Sequence, residues 1–280
     1  MEAILYWRCY DGGTTGLCPV LMLHGFMGRG DDWQQVSEHL APSRQCLCPD
    51  LPGHGATAAD PVNGAAGMPE IAEALLAGLE ARGVTQCALV GYSMGGRLAL
   101  YLAVRYPQRF SCLLLESASP GLRTTSERQQ RQVHDEALEE KLTALGEDDA
   151  AFAAFLRTWY RQPLFATISR RPGLYDALVQ RRLQNHPPSL AASLRGVGIA
   201  SQASLWEALS GLRLPTLLIT GAADKKYCDI NAAMAARMPV ASHITMDGCG
   251  HIPHLERPDA FRTALALFLR KYDQGVKKTL

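Results

Sequence analysis

One serine of this chain stands in a pattern that favours chemistry. Ser93 is the central residue of Gly91-Tyr92-Ser93-Met94-Gly95, a G-x-S-x-G sequence. An apolar run precedes it and apolar residues at helical spacing follow it, so the pattern predicts a nucleophile elbow, the sharp turn that exposes a serine between a strand and a helix. The glycines leave room where the two backbones approach each other. The alternative interpretation is a glycine-rich turn with an idle serine.

A serine becomes reactive only when a histidine and an acid act on it, and this kind of elbow has them later in the chain. Asp224 comes just after an apolar run, and His251 lies on a glycine-containing loop after another. Ser93, Asp224 and His251 therefore occur in the required order. Asp229 and Asp247 remain alternative acids.

The same chemistry needs donors for the negative charge that develops on a substrate oxygen. The loop His24-Gly25-Phe26-Met27-Gly28 follows an apolar run. We expect the backbone N–H groups of Phe26 and Met94 to form an oxyanion hole. His24 is interpreted as a hydrogen-bonded support of this loop, and His54 as a turn residue.

Seven apolar segments predict the strands that would position these residues: Ile4 to Trp7, Val20 to Leu23, Gln45 to Pro49, Gln86 to Gly91, Cys112 to Glu116, Thr216 to Gly221 and Ser242 to Met246. Helical patterns lie between most of them, which indicates an α/β fold with a mostly parallel sheet covered on both faces. Residues 1–119 and 212–280 would form this core. Residues 120–211 are helix-rich without a convincing strand, so we expect a helical lid over the carboxyl ends of the strands.

Composition favours one enzyme-sized globular unit. The 280 residues are 47% hydrophobic and 20% charged, with a net charge of +1. This balance gives no electrostatic case for nucleic acid or a membrane surface as a partner. No apolar run of membrane-spanning length and no signal-peptide pattern is visible, so we expect a cytoplasmic protein. A monomer is expected, although the sequence leaves the oligomeric state open.

The eight cysteines are scattered along the chain, which favours free, mostly buried thiols in a reducing compartment. Cys46 and Cys48 would share one face of a strand, but no second pair or histidine cluster accompanies them. We therefore expect no metal.

Arginines surround the predicted serine. Arg97 lies one helical turn after Ser93, on the same side of the predicted helix, and ten more arginines occur between Pro120 and Gly211. Most charged helix residues are simply solvated. A few of these, however, could bind carboxylates by bidentate pairing, which suggests an anionic substrate.

These patterns resemble the α/β-hydrolase superfamily across nearly the whole chain. More specifically, the chain resembles the family of 2-succinyl-6-hydroxy-2,4-cyclohexadiene-1-carboxylate synthases of menaquinone biosynthesis. The segments that carry the resemblance are Leu23-His24-Gly25-Phe26, Asp50-Leu51-Pro52-Gly53-His54-Gly55, Gly91-Tyr92-Ser93-Met94-Gly95-Gly96-Arg97, Pro120-Gly121-Leu122, Arg131-Gln132 and Trp159-Tyr160-Arg161-Gln162-Pro163-Leu164-Phe165. The first three are widely shared, whereas the last segment and Arg97 are more discriminating.

The resemblance implies a lyase that eliminates pyruvate from 2-succinyl-5-enolpyruvyl-6-hydroxy-3-cyclohexene-1-carboxylate, a small polycarboxylate, without a metal or an organic cofactor. The residues that it implies for carboxylate binding and cavity lining are Arg97, Arg131, Arg182, Tyr92 and Trp159. Arg181 is an alternative to the neighbouring Arg182. Lys226 would add positive charge near the acid, and Lys225 competes for that role.

In this reaction Ser93, activated by the histidine and the acid, would be a base that removes a proton next to a carbonyl. The main alternative is a serine hydrolase that cleaves an ester or a carbon-carbon bond of an acidic substrate. A third hypothesis is a ligand-binding module that has lost its chemistry. The arginines and the Trp159 to Phe165 segment favour the lyase, and the intact serine, histidine and acid argue against the binding module.

Overall fold

Seven strands form one sheet in the computed structural model, which describes residues 5–11, 16–57 and 66–273. The strands are β1 (Trp7–Tyr10), β2 (Val20–Leu23), β3 (Cys46–Pro49), β4 (Cys87–Tyr92), β5 (Phe110–Glu116), β6 (Thr216–Gly221) and β7 (Ala241–Met246). Their order is β1-β3-β2-β4-β5-β6-β7. Among the described residues only β1 is antiparallel to its neighbour. The predicted α/β architecture with a mostly parallel sheet is confirmed.

Six of the predicted strands agree with the structure to within two residues at each end. The first is wrong: we expected Ile4 to Trp7, but β1 starts at Trp7 and ends at Tyr10. Ile4 lies outside the described residues. The apolar run suggested an earlier strand, whereas antiparallel pairing with β3, in which Trp7 faces Pro49 and Tyr10 faces Cys46, sets the true bounds.

Eleven α-helices occur in the described part of the chain, and several begin at recognisable signals. They are α1 (Gln34–Leu40), α2 (Met68–Glu80), α3 (Ser93–Arg105), α4 (Thr125–Leu145), α5 (Asp149–Trp159), α6 (Ala166–Ser169), α7 (Pro172–Arg182), α8 (Pro187–Val197), α9 (Lys225–Ala235), α10 (Pro253–Glu256) and α11 (Pro258–Tyr272). Thr124 and Asp148 cap α4 and α5, because each side chain accepts a hydrogen bond from the backbone N–H three residues on. Early prolines start α2, α7 and α8.

Two apolar cores cover the two faces of the sheet. Successive strand residues point to opposite faces, so Leu21 and Leu89 pack with α2 and α3, whereas Val20 and Val90 pack with α1 and α11. When both faces of a sheet are buried, the polar loops lie at the ends of its strands.

The carboxyl ends of the parallel strands meet at one edge. Leu23 pairs with Gly91, and Gly221 pairs with Met246. The loops that follow β2, β4, β6 and β7 therefore leave the sheet on the same side, and they carry the oxyanion loop, the serine, the acid and the histidine of the sequence prediction.

Residues 120–211, all of which are described, form helices and connecting turns without a strand. They comprise α4 to α8 and the short 3-10 turns Pro163–Phe165 and Glu207–Gly211. We call this stretch the helical segment; its role as a lid stays a prediction. None of the helices in the described residues combines the length and apolarity that crossing a bilayer requires.

Candidate active site

Ser93 occupies a strained turn between β4 and α3. Its φ angle is 50°, in the left-handed region that non-glycine residues rarely adopt. A Cβ atom on Gly95 would clash with the backbone of Leu23 and His24, and one on Gly91 would clash with Gly95 itself. Only glycines allow the helix to start this close to the strands, and the turn presents the serine side chain at the edge of the sheet.

Ser93, His251 and Asp224 form a hydrogen-bonded chain. The Nδ1 atom of His251 lies 2.6 Å from Oδ2 of Asp224, and its Nε2 atom lies 3.1 Å from Oγ of Ser93. A carboxylate accepts and does not donate, so Nδ1 carries the proton and Nε2 is free to accept the proton of the serine hydroxyl. The geometry is that of a base oriented by an acid. Of the three candidate acids, Asp224 is the one in contact with His251.

The loop that carries His251 is held by a residue that sequence reasoning missed. One carboxylate oxygen of Glu256 accepts hydrogen bonds from the N–H groups of Gly250, at 3.0 Å, and Ile252, at 3.3 Å. Arg171 of the helical segment donates to the backbone carbonyls of Glu256 and Gly248. Glu256 and Arg171 thus hold the backbone on both sides of His251, which fixes the position of its imidazole.

Three aromatic rings surround His251. The ring centroids of Tyr227, Tyr92 and Phe165 lie 4.7, 5.5 and 5.9 Å from that of the imidazole. Tyr227 also donates its backbone N–H to the other carboxylate oxygen of Asp224. Tyr227 and Phe165 were not among the predicted site residues; the position of Tyr227 three residues after Asp224, in the first turn of α9, was the available signal.

His24 supports the loop after β2, as the sequence suggested. Its Nε2 atom accepts the N–H of Leu51 at 2.9 Å, so its Nδ1 atom donates to the carbonyl of Gly25 at 2.8 Å. Burial lowers the pKa of His24, which keeps the ring neutral and Nε2 available as an acceptor.

Asn185 of the helical segment fixes the next part of this loop. Its amide donates to the carbonyl of Met27 at 2.8 Å, and Met27 itself has a positive φ of 61°. Phe26 and Met94 both line the cavity beside Ser93. Their assignment as oxyanion donors stays a prediction.

A cavity of about 500 Å³ opens above the triad. Its walls include five of the predicted binding residues: Tyr92, Arg97, Arg131, Trp159 and Lys226. The lysine that reaches it is Lys226, not Lys225. Apolar side chains from the helical segment, Leu138, Leu164, Leu194, Val197 and Ile199, complete the wall. The cavity wall is therefore mostly apolar, with positive charge at Arg97, Arg131 and Lys226.

Arg97 is a buried cation without a carboxylate partner among the described residues. Its side chain donates to the amide oxygen of Gln202, at 2.8 Å, and to the carbonyl of Val197, at 2.7 Å. The residue is 8% exposed. Burial lowers the pKa of Arg97 to about 10, so it is still protonated at pH 7. An anion that enters the cavity would supply the missing counter-charge.

Arg131 differs from Arg97 because it already has an acid. Its Nε atom donates to Asp135 at 2.7 Å, one helical turn further along α4, and its side chain is 43% exposed. Its charge is therefore partly compensated and screened before any substrate binds.

Arg182 corrects a sequence expectation. We expected it to bind a substrate carboxylate, but it is not part of the cavity wall. Its guanidinium donates to Asp32 at 2.7 Å and to the hydroxyl of Tyr160 at 3.1 Å, and the side chains of the pair are each 2% exposed. Burial alone would lower the pKa of Arg182, yet the charge of Asp32 raises it. The rival Arg181 also contacts Asp32, at 3.3 Å.

Within residues 5–11, 16–57 and 66–273 no group of three or more histidine, cysteine or acidic side chains is arranged to hold a metal ion. The chemical groups that converge on the cavity are the triad, backbone N–H groups, aromatic rings and cations. Such a set can move a proton and stabilise an anion.

Comparisons with known proteins identify the family of this chain. The model of the alpha/beta hydrolase fold family matches residues 19–258. A relative from Bacillus subtilis (strain 168) is 36% identical over 92% of this chain and 93% of its own; its name carries 2-succinyl-6-hydroxy-2,4-cyclohexadiene-1-carboxylate synthase as a provisional assignment. The synthase of that name from Klebsiella pneumoniae (strain 342) is 32% identical over 92% of this chain and 96% of its own.

The solved structure of MenH from S. aureus superimposes with a TM-score of 0.88 and 28% identity, covering 96% of this chain and 99% of that one. Family model, relatives and structure thus agree over nearly the full length. The chain belongs to the α/β-hydrolase fold family and, within it, to the family of 2-succinyl-6-hydroxy-2,4-cyclohexadiene-1-carboxylate synthases.

Proposed function

We propose that this protein is a lyase of menaquinone biosynthesis. It would eliminate pyruvate from 2-succinyl-5-enolpyruvyl-6-hydroxy-3-cyclohexene-1-carboxylate to give 2-succinyl-6-hydroxy-2,4-cyclohexadiene-1-carboxylate. The observation that carries the proposal is the buried, acid-free Arg97 in the wall of the cavity that also holds Ser93. A substrate with several carboxylates matches that charge, and the two relatives are named as synthases of the same product.

The proposed mechanism starts with proton transfer from Ser93 to His251, whose imidazolium is stabilised by Asp224. The serine oxygen then removes a ring proton next to the succinyl carbonyl. The electron pair of the broken C–H bond moves towards the carbonyl, and the N–H groups of Phe26 and Met94 stabilise the charge on its oxygen. Each such donor contributes about 3 kcal/mol to the transition state.

In the second step the electrons return and form a ring double bond between C2 and C3. The existing C3–C4 double bond shifts to C4–C5, and the carbon-oxygen bond to the enolpyruvyl group at C5 breaks. Pyruvate leaves as its enolate, which takes up the proton held by His251, so Ser93 and His251 return to their starting protonation states. No oxidant, metal or organic cofactor is needed in this scheme. Ser93 forms no covalent bond to the substrate. Trapping a substrate adduct on Ser93 at full occupancy during turnover would contradict this version.

The positive groups of the cavity would orient the substrate. Arg97 is the principal carboxylate ligand in this proposal, because it has no competing acid; Arg131 and Lys226 add contacts near the cavity mouth. Tyr92 and Trp159 would cover the ring. A charge-assisted hydrogen bond of this kind contributes about 1.5–3 kcal/mol.

The helical segment acts as a lid in this proposal. It supplies Arg131, Trp159, Leu164 and Val197 to the wall, so a closed segment would exclude water from the enolate.

The eight cysteines are free thiols, which supports the proposal of a cytoplasmic location. We propose a monomer; the triad, whose three members come from one chain, requires no second subunit.

The test is a coupled assay of pyruvate release with the enolpyruvyl substrate. Ser93→Ala should lower kcat by about 10³-fold or more, because the base is lost. Arg97→Ala should lower kcat/KM by about 10- to 100-fold. Arg105→Ala removes an exposed arginine of the same helix and is the matched control, which we expect to behave as wild type.

The alternative function is a serine hydrolase of an ester or a carbon-carbon bond in an acidic substrate. The 3.1 Å contact between Ser93 and His251 suits a nucleophile as well as a base. Absence of pyruvate release, combined with Ser93-dependent turnover of activated esters, would favour the hydrolase and refute the lyase proposal.

A further inference from the structure

Arg97 is held by two neutral acceptors from one short stretch of the helical segment. They are the amide oxygen of Gln202 and the carbonyl of Val197, the last residue of α8. Gln202 is 4% exposed and is not part of the cavity wall. The two bonds fix the direction of the guanidinium, but neither acceptor carries a charge. Among the described residues no carboxylate contacts Arg97, and Asp135 acts on it only through space.

The carboxylate of Asp135 lies against the same stretch, but it forms its ion pair with Arg131 and not with Arg97. Asp135 accepts from Nε of Arg131 with one oxygen, at 2.7 Å, and from the N–H of Ala200 with the other, at 3.4 Å. The carboxylate thus compensates the exposed Arg131. The buried Arg97 receives an amide instead, which is the reverse of what charge stabilisation alone would favour.

The amide of Gln202 also leaves a hydrogen-bonding deficit. Its Nε2 atom is buried and has no hydrogen-bond partner among the described residues. A buried donor without a partner is destabilising. A glutamate of the same shape would have no unpaired donor and would compensate the charge of Arg97. The local contacts therefore favour glutamate, and the amide needs another explanation.

We propose that Gln202 is a positioning residue that determines specificity for a carboxylate. Its neutral oxygen orients Arg97 and keeps the positive charge available for the substrate. This inference rests on the proposed function, since it assigns a carboxylate of that substrate to Arg97. It makes position 202 a site where fold stability favours a negative side chain and substrate binding requires a neutral one.

The experiment compares Gln202→Glu, Gln202→Met and the control Gln180→Glu. The control makes the same charge change at an exposed residue of the helical segment. Three quantities are measured for each: the thermal midpoint, the Kd for succinate by calorimetry as a simple dicarboxylate probe, and the kinetics of pyruvate release.

For Gln202→Glu we expect a higher thermal midpoint, a Kd for succinate raised about tenfold or more, and KM raised by a similar factor. Gln202→Met keeps the arginine charged but loosens its orientation, so its kcat/KM should fall between those of wild type and Gln202→Glu. The control should match wild type in all three quantities. A purely structural role for Gln202 predicts instead a lower midpoint with unchanged succinate binding.

Several results would overturn the inference: unchanged Kd and KM in Gln202→Glu, a glutamate variant that binds better than the methionine variant, or no succinate binding by wild type. If Gln202→Glu does not fold, the methionine variant decides, because unchanged Kd and KM there remove the positioning role. A different result would contradict the proposed function alone. In that case wild type binds succinate and Gln202→Glu loses this binding, but wild type releases no pyruvate.

Discussion

Replacing Asp32 by asparagine removes the carboxylate from a buried ion pair that connects the helical segment to the 3-10 turn Gly30–Trp33, which follows the predicted oxyanion loop. The Asp32 and Arg182 side chains are 2.7 Å apart and each is 2% exposed. Burial alone would raise the pKa of Asp32, but Arg182 lowers it well below its usual range. Both groups are therefore charged at pH 7, and each stabilises the charge of the other.

Breaking a buried pair on one side leaves an uncompensated charge, which costs about 3–5 kcal/mol. Asparagine keeps the oxygen that accepts the N–H of Arg29, so we expect about 3 kcal/mol for Asp32→Asn, or a fall in Tm of about 6–12 °C. Arg182→Gln should cost less, because Arg181 still contacts Asp32 at 3.3 Å. The double variant restores a neutral, hydrogen-bonding pair, so its loss should be smaller than the sum by about 2 kcal/mol or more.

The assay is urea unfolding of wild type, both single variants and the double variant at pH 7, with pyruvate-release kinetics on the folded proteins. We expect coupling in stability and a nearly unchanged KM for Arg182→Gln. Additive losses within about 0.5 kcal/mol would refute the buried-pair account. A large rise in KM with unchanged stability would restore Arg182 as a substrate ligand.

Two further predictions concern His54 and Glu256. Burial lowers the pKa of His54 to about 3 from its ordinary value of 6.5, so its contribution to stability is complete above pH 6.5 and is lost as the pH falls from 6.5 towards 3. Between pH 7 and pH 4.5 the free energy of unfolding should fall by about 2–3 kcal/mol more in wild type than in His54→Asn. An equal fall in the two proteins would contradict this prediction. Glu256→Leu removes the acceptor of two N–H groups beside His251 and should lower kcat about 100-fold, whereas Glu256→Gln keeps an oxygen there and should retain most activity. Equal losses of kcat in the two variants would argue against a positioning role for Glu256.

Much of the site followed from local patterns in the sequence. The turn at Ser93 needs glycines within two residues, and it joins a strand to a helix that are both visible as apolar periodicity. The positions of Asp224 and His251 followed because each comes after a strand. In a parallel sheet the carboxyl ends of neighbouring strands meet at one edge, so loops distant in the chain converge without any knowledge of side-chain contacts.

The sequence could not decide which cations face the cavity. Arg97, one turn from Ser93, was predictable because helical spacing fixes its direction. Arg182 was not: its partner Asp32 lies 150 residues away, and only the packing of α7 against the 3-10 turn at Gly30–Trp33 brings them together. The same holds for Glu256, whose role depends on the conformation of a loop rather than on spacing.

The sequence by itself therefore determined the fold family and the order in which Ser93, Asp224 and His251 follow their strands, because these depend on short-range periodicity and on strand topology. Tertiary structure alone decided the partners of the two buried arginines: Asp32 for Arg182 and a neutral amide for Arg97. The physical reason is that compensation of a buried charge depends on distances of a few ångströms between side chains that can lie far apart in the chain.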